Sequence, residues 1–432
     1  MLNETSRILK DFPMPRMAYV RQNFPHTTIS DLSNAVRAEL EQEKIRSLVK
    51  PGMRICITCG SRGVANSDLI ARELVAFVRR RSGDPFIIPA MGSHGGATAK
   101  GQRDILRGYG ITEESCGCPI LASMETVKIG VTEEGHDVFI DRYAAESDGI
   151  ILNNRIKPHT SFRGPYESGL MKMAVIGLGK QTGAEACHIN GYGFMGHLVP
   201  LFGKVVLQNA PILFGFGMLE NEYEETAKVI ALTKEEIIAE EPRLLKEAFS
   251  IMPRLLLDSC DVLIVDEAGK EVSGAGMDPN VIGRFFAKGL SGGLKTRQIA
   301  LLNLTEASHG NFLGTGLADF TTRRLFEKID LDTTYANCLT CLRANSAYLP
   351  VILDNDRQAI AGALMFCYGI DRSRARVIRI KNTLQLDEIQ ISESLLEEAK
   401  TNPMLTVLTE PAEMPFDADG NLPMGEGGHL RW

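Results

Sequence analysis

Two apolar runs, each cut off by glycines and followed at once by a helical pattern, limit the fold of this chain more than anything else in it. Residues 54–59, RICITC, stop at Gly60-Ser61-Arg62-Gly63, and a helix period follows over 66–81. Residues 85–90, PFIIPA, stop at a second glycine-rich turn, 91–98, MGSHGGAT, and 99–108 are again helical. Two strand–turn–helix units in succession call for a parallel sheet with its loops gathered at the C-terminal edge of the strands. The N–H groups of such a turn and the N-terminus of the next helix point the same way, which makes a place for a carboxylate or phosphate near Ser61 and Arg62. Neither turn is a GxGxxG dinucleotide fingerprint or a Walker loop. His94, set between glycines in the second turn, has no obvious packing role there and becomes a neighbour of Arg62.

The remaining pattern repeats the theme. Residues 28–48 read as an amphipathic helix with Asp31 or Ser33 as cap. Residues 127–141 read as a hairpin turning at Glu134-Gly135, with His136 as a cross-strand residue. Strands are expected at 148–154 (DGIILNN), 210–219 and 261–266 (DVLIVD), with a long helix over 233–252. The character changes near Gly274. A strand, TRQIALLN, follows, then a glycine-rich turn at 309–316 leading into a helix with Asp319, Arg323 and Arg324, strands at 376–380 and 389–391, and a helix at 393–401. The expected architecture is α/β: two α/β domains with mainly parallel, Rossmann-like sheets and an active-site cleft between them. Residues 1–270 form the N-terminal domain with the catalytic loops, 400–432 return to it, and 271–399 close over the substrate, hinged near Gly274–Gly276.

A net charge of −7 and the lack of any Lys/Arg block interleaved with aromatics exclude a nucleic-acid surface as the main function. The first residues carry charges and prolines where a secretory signal needs an apolar core, and no apolar run approaches membrane-spanning length. The expected location is cytoplasmic, with no membrane partner. Nine cysteines, an odd number, suit reduced thiols. Cys116-Gly-Cys118 and Cys338-Leu-Thr-Cys341 are isolated half-sites, each lacking a second pair spaced for zinc.

The richest stretch runs over 153–197 and holds His159, Lys172, Lys180, His188 and His197. Lys172 stands among Gly169, Leu170, Met171, Met173 and Ala174, where an ammonium is costly unless it is paired, deprotonated or modified. It is either a chemical group or a lysine that carries its head out to solvent from a half-buried segment. Two histidines in loops at one sheet edge suit proton transfer to and from a hydroxyl near neutral pH. His197, His309, Asn311, Thr315 and Lys180 read equally as site residues or as caps and packing groups, and Glu167 either orients a histidine or is a turn carboxylate.

The order Arg62, His94, His159, Lys172 and His188, together with the strings MGSHGGAT, KPHTSF, ESGLMKM and IGLGKQTGA, resembles the nickel-pincer nucleotide-dependent lactate racemase family over most of residues 50–320. The resemblance implies that Lys172 anchors the cofactor, a pyridinium-3-thioamide-5-thiocarboxylic acid mononucleotide, and that His188 is the protein's nickel ligand. It implies His94 and His159 as the acid–base pair and Arg62 as the group that holds the substrate carboxylate. The implied reaction inverts the C2 centre of a 2-hydroxy acid by hydride transfer to and from the tethered cofactor, with cofactor-biosynthesis enzymes as partners; an oligomer is compatible with it. The segment GMDPNVIGRFFAK departs from the lactate enzyme's substrate loop, placing Gly283 and Phe286 where that enzyme has glutamine and lysine. Arg284 is then the substrate-binding candidate. This departure and a longer His159–Lys172 interval point away from lactate toward a larger or polyhydroxylated acid, such as a sugar acid. The alternatives are a nickel-independent lyase or dehydratase using the same histidines, and a cofactor-binding protein without turnover.

Overall fold

A computed structural model describes residues 3–423 apart from 62, 190 and 341. Arg62, Cys341, His429 and Trp432 therefore lie outside the described residues. Among the described residues fifteen strands run in chain order: β1 (Met17–Gln22), β2 (Arg54–Cys59), β3 (Asp84–Pro89), β4 (Thr126–Val131), β5 (Asp137–Asp141), β6 (Gly149–Arg155), β7 (Ile212–Glu220), β8 (Thr226–Thr233), β9 (Ser259–Val265), β10 (Lys295–Leu301), β11 (Phe320–Thr322), β12 (Val351–Leu353), β13 (Val377–Ile380), β14 (Glu388–Ser392) and β15 (Leu405–Val407). The chain divides into two units. His26–Met252 form one, and Met1–Pro25 together with Pro253–Trp432 form the other.

The His26–Met252 unit holds a five-stranded sheet in the order β3-β2-β6-β7-β8, parallel except for the last pair, and the separate β4–β5 hairpin. Alternate side chains of β2 leave on opposite faces. Ile55, Ile57 and Cys59 meet Ile70, Leu74 and Phe77 of the helix Ser67–Arg80, whereas Cys56 joins Ile88, Ile150 and Leu152 against Leu170, Met173 and Phe202. Both faces are buried, which is why these strands are unbroken apolar runs. The chain steps from β2 outward to β3 and later returns to the other side of β2 as β6. That reversal is the place where an open α/β sheet leaves a crevice at its C-terminal edge.

The other unit holds an eight-stranded sheet, β12-β11-β10-β9-β13-β14-β1-β15. Strands β9 to β13 form its parallel part, and β14, β1 and β15 add antiparallel strands. The helix Asp356–Met365 lies on one face with Val262, Ile264 and Ala300. Among the described residues no helix is long and apolar enough to cross a membrane.

This division corrects the boundaries expected from sequence. The DVLIVD run is β9, and both of its neighbours, β10 and β13, belong to the eight-stranded sheet. Residues 1–25 and the tail belong there as well, because β15 pairs with β1 and not with the five-stranded sheet. The crossings between units fall at 25/26 and 252/253. Gly274–Gly276 is no crossing: Gly276, at φ 75°, packs against the Leu313 carbonyl inside the eight-stranded unit. The turn at 309–316 leads through a short 3-10 turn into β11, not directly into a helix. Strand β8, unexpected from sequence, closes the edge of the five-stranded sheet.

The turn after β3 folds back on its own helix. A Cβ on Gly101 would stand 2.0 Å from the Gly95 carbonyl oxygen, and Gly95 has φ 68°. Gly101→Ala is expected to cost about 1–3 kcal/mol through overpacking. Gly108→Ala, in the same helix with no atom within 4 Å of the added carbon, is expected to be neutral or stabilising; denaturant unfolding of both variants checks the contrast.

Candidate active site

The loops at the C-terminal edge of the five-stranded sheet carry His94, His159, Lys172 and His188. After β6 the chain leaves the sheet in a loop whose neck is closed by two backbone bonds between Lys157 and Ser168, 2.9 and 3.1 Å long. Inside the loop the buried carboxylate of Glu167 accepts the backbone N–H of His159 at 2.7 Å and of Gly164 at 3.4 Å, and Arg163 reaches it at 3.4 Å. Burial holds this carboxyl above its usual range, with the donors working against the rise. Glu167 thus fixes the backbone of His159 rather than its ring. The ring Nδ1 accepts the Ser161 N–H at 3.1 Å, which leaves the proton of the neutral imidazole on Nε2.

Aromatic rings connect the candidates. The His159 ring packs on Phe162 with centroids 4.4 Å apart and is stacked 6.3 Å from Tyr192, which in turn stacks on His188 at 5.1 Å. The Lys172 ammonium lies 5.9 Å from the centre of the Phe162 ring, within cation–π range. Lys172, His159 and His188 are therefore brought together along one line of rings inside a single unit.

Lys172 and His188 sit on successive helical pieces of one segment, broken before the last piece at Lys180, whose φ is 53°. It opens with the turn Leu170–Lys172, widens into a π-helical turn over Met173–Gly177, and continues as the helix Lys180–His188. Turns of the wider kind are uncommon and occur often at functional sites. The segment starts from a crowded point. Asn154 donates its side-chain amide to the Gly169 carbonyl at 2.9 Å, and Glu241 accepts the Met171 N–H at 2.9 Å. The other Glu241 oxygen, Oε1, is buried without a hydrogen-bond partner among the described residues. A Cβ on Gly169 would stand 2.0 Å from it, so position 169 admits no side chain. Burial pushes the Glu241 carboxyl up to about 8. Pro242, next in the helix Lys234–Ile251, has no N–H for the Ile238 carbonyl, and the Tyr166 hydroxyl takes that acceptor at 2.8 Å. The helix thereby anchors the end of the His159 loop.

His94 is exposed in the loop after β3, and its Nδ1 is hydrogen bonded to the Ser61 hydroxyl in the loop after β2. Tyr109 donates to the Ser61 carbonyl at 3.0 Å. Both loops rest on the π turn: a Cβ on Gly60 would lie 3.4 Å from Met173 Cε, and one on Gly92 3.2 Å from Ile176 Cγ2.

Other candidates are used elsewhere. Arg284 belongs to the eight-stranded unit, where its guanidinium donates to the carbonyls of Leu317 and Arg297 and pairs with Asp319 at 2.6 Å. Asn311 accepts the Leu313 N–H at 3.1 Å and Thr315 donates to the Tyr348 carbonyl at 2.8 Å, both within that unit. His309 is exposed at φ 48°. His197 pairs at the surface with Glu134 at 2.5 Å, and His136 faces Thr132 across the hairpin, accepting its backbone N–H at 2.8 Å, with its ring stacked on Phe202 at 5.8 Å. Burial pushes the Cys118 thiol up to about 12. Phe162, Tyr192, Gln102 and Glu241 escaped the sequence reading. Tyr192 had a signal, an aromatic held between Gly191 and Gly193 in the same stretch.

Fold and loop cluster together define a two-unit α/β protein with a histidine-bearing strand edge and a lysine-bearing helical segment. Residues 14–193 match the lactate racemase N-terminal domain, a span that includes Arg62, His94, His159, Lys172 and His188. Over those residues the chain is similar to the lactate racemase family. The lactate racemase apoprotein from Thermoanaerobacterium thermosaccharolyticum has a similar fold, with a TM-score of 0.52 and 14% identity, over 84% of this chain and 94% of that one. No curated protein matches the sequence.

The raised Glu241 carboxyl carries a pH signature. Folded, it keeps its proton to about pH 8, whereas an unfolded glutamic acid releases it near about 4.3. Between those values the native state binds more protons than the unfolded one, so this group makes stability fall as pH rises. Glu241→Gln is expected to flatten that fall, and melting temperatures of the two proteins from about pH 5 to about pH 8 provide the check. Equal slopes would mean that the carboxyl titrates normally.

Proposed function

We propose that this protein is a racemase or epimerase that inverts C2 of a 2-hydroxy acid, with Lys172 and His188 holding a nickel-pincer nucleotide and His94 and His159 exchanging the hydroxyl proton. The observation that carries the reading is the line of rings from the Lys172 ammonium through Phe162, His159 and Tyr192 to His188. The donor set fits the cofactor: an amine for covalent anchorage, an imidazole nitrogen for a borderline-soft divalent metal, and flat rings beside a flat aromatic group. When bound, the nucleotide supplies the hydride acceptor that the protein's own side chains lack.

The remaining work falls to the chain itself. Inverting a carbinol centre takes a proton from the hydroxyl as the C2 hydrogen leaves and gives one back when hydrogen returns on the other face. One ring must therefore begin as a base and the other as an acid. The ring that begins as the acid must be an imidazolium, protonated on both nitrogens, and the ring that begins as the base a neutral imidazole. His94 turns Nδ1 to a serine hydroxyl, a group that both donates and accepts. Ser61 can thus serve the His94 ring in either protonation state, as a residue that accepts and returns a proton requires. Arg62, next to Ser61, is the proposed carboxylate ligand. The Arg284 guanidinium is engaged within its own unit, and the proposal gives it no part. The substrate class is a 2-hydroxy acid larger or more hydroxylated than lactate.

The test is co-expression with cofactor-making enzymes, followed by intact mass, nickel content and a panel of chiral 2-hydroxy acids assayed for epimerisation. A mass increment on the wild type, lost in Lys172→Ala, is expected. His188→Ala is expected to keep the increment and lose nickel. His94→Ala and His159→Ala are each expected to lower turnover by about 10²- to 10⁴-fold. Full turnover after chelation, or in Lys172→Ala, would replace this reading with a metal-free lyase or dehydratase.

A further inference from the structure

Lys180 has no share in the chemistry above, yet its side chain is fully buried and its backbone lies in the left-handed region at φ 53°. The ammonium stands 3.1 Å from Asp141 Oδ2, at the end of β5, and Asp141 is fully buried too. It also donates to the carbonyl of Pro89, the last residue of β3, and to Gln102 Oε1 at 3.2 Å. Gln102, equally buried, turns its amide nitrogen to the carbonyls of Gly92 at 2.9 Å and His94 at 3.2 Å. Contacts therefore pass without a break from β5 through Lys180 and Gln102 to the backbone of His94. Lys180 also opens the helix that ends at His188 and follows the turns that carry Lys172.

A buried pair of opposite charges gives up hydration to make its contacts, and an apolar pair of similar volume would commonly hold a fold as well. What the ammonium adds is direction. Two of its N–H groups meet acceptors on two elements, the end of β3 and the helix Ala99–Gly108, while its charge faces the Asp141 carboxylate on a third. The carboxylate is itself held, since its Oδ1 accepts the Ala144 N–H at 3.1 Å. Replacing any one member leaves a buried polar group without a partner, which costs more than the contact was worth.

We propose that Lys180 is a positioning residue that, through Gln102, sets the His94 loop at a fixed distance from the helical segment bearing Lys172 and His188. Its bearing on turnover rests on the reading of His94 as a proton-transfer group; the strut itself is testable without substrate.

Three full-length variants make the test: Lys180→Met, Gln102→Leu and Gln102→Glu. Gln102→Leu leaves the buried ion pair intact, so it answers the question even where Lys180→Met fails to fold. Gln102→Glu restores an acceptor for Lys180 without a donor for the His94 loop. The first readout uses apoprotein labelled at histidine Cε1, following each imidazole through a pH titration, together with amide hydrogen exchange over 92–98. The expected result is faster exchange in the loop and a shifted titration midpoint for His94 in all three variants, with the surface rings of His26 and His197 unmoved. The second readout is the cofactor-loaded enzyme. There kcat is expected to fall by about ten- to a hundredfold with a much smaller change in KM, as a displaced but still bound reacting group predicts. Lower melting temperature with unchanged loop exchange and an unchanged His94 titration would overturn the proposal, because Lys180 would then only stabilise the fold. Altered exchange and titration in protein that, fully loaded, racemises no acid would uphold the strut and reject the racemase reading.

Discussion

A sheet covered on both faces leaves its strands no room for polar groups except at their ends, and the five-stranded sheet obeys that constraint. Strands β2, β3 and β6 are mainly apolar in their middles, with Arg54, Asp84 and the run Asn153–Arg155 at their ends, and the candidate residues start where the strands stop. Ser61 lies just past β2, His94 past β3 and His159 past β6. Because the three strands are parallel, these ends face the same way, and the reversal between β3 and β6 opens the edge between β2 and β6. The site is thus a consequence of strand direction before it is a consequence of any single residue.

The protein holds its candidate groups by two kinds of force. Backbones are held by buried carboxyl and amide groups: Glu167 on the His159 N–H, Glu241 on the Met171 N–H, and Gln102 on the His94 carbonyl. Rings are held by neutral contacts, a serine hydroxyl at His94 and an aromatic stack at His159 and His188. This separation has a physical sense. A carboxylate bonded directly to an imidazole would bias its proton strongly toward one state, whereas a carboxylate bonded to the peptide N–H fixes position and disturbs the ring's proton affinity less.

What the sequence allowed to be read follows the same division. Strands with continuous apolar runs were legible almost to the residue, as 54–59 and 99–108 illustrate for a strand and the helix that follows the next one. Strands β1, β11, β12 and β15 were not, because β11, β12 and β15 are three-residue pieces and β1 is defined by partners far along the chain. The boundary between units misled because DVLIVD looks the same whichever sheet it joins; only its pairing with β10 and β13 decides. Within the candidate site, His94, His159, Lys172 and His188 stood out by residue type and setting. The supporting groups, Gln102, Asp141 and Glu241, were not, since a buried polar residue in a helix or at a strand end has no sequence pattern that distinguishes it from an exposed one.

Strand β1 pairs with β14 across a separation of 367 residues, as the Arg21–Glu388 contact shows, and the whole His26–Met252 unit intervenes between the first and second parts of the other. During synthesis the ribosome delivers the N-terminal strand first and both of its neighbours nearly last. The inserted unit has all its own strands available by residue 233, long before the larger sheet can be completed. Maturation is thus ordered by connectivity: the loops that carry His94 and His159 acquire their scaffold while β1 still waits, exposed on both edges, for β14 and β15.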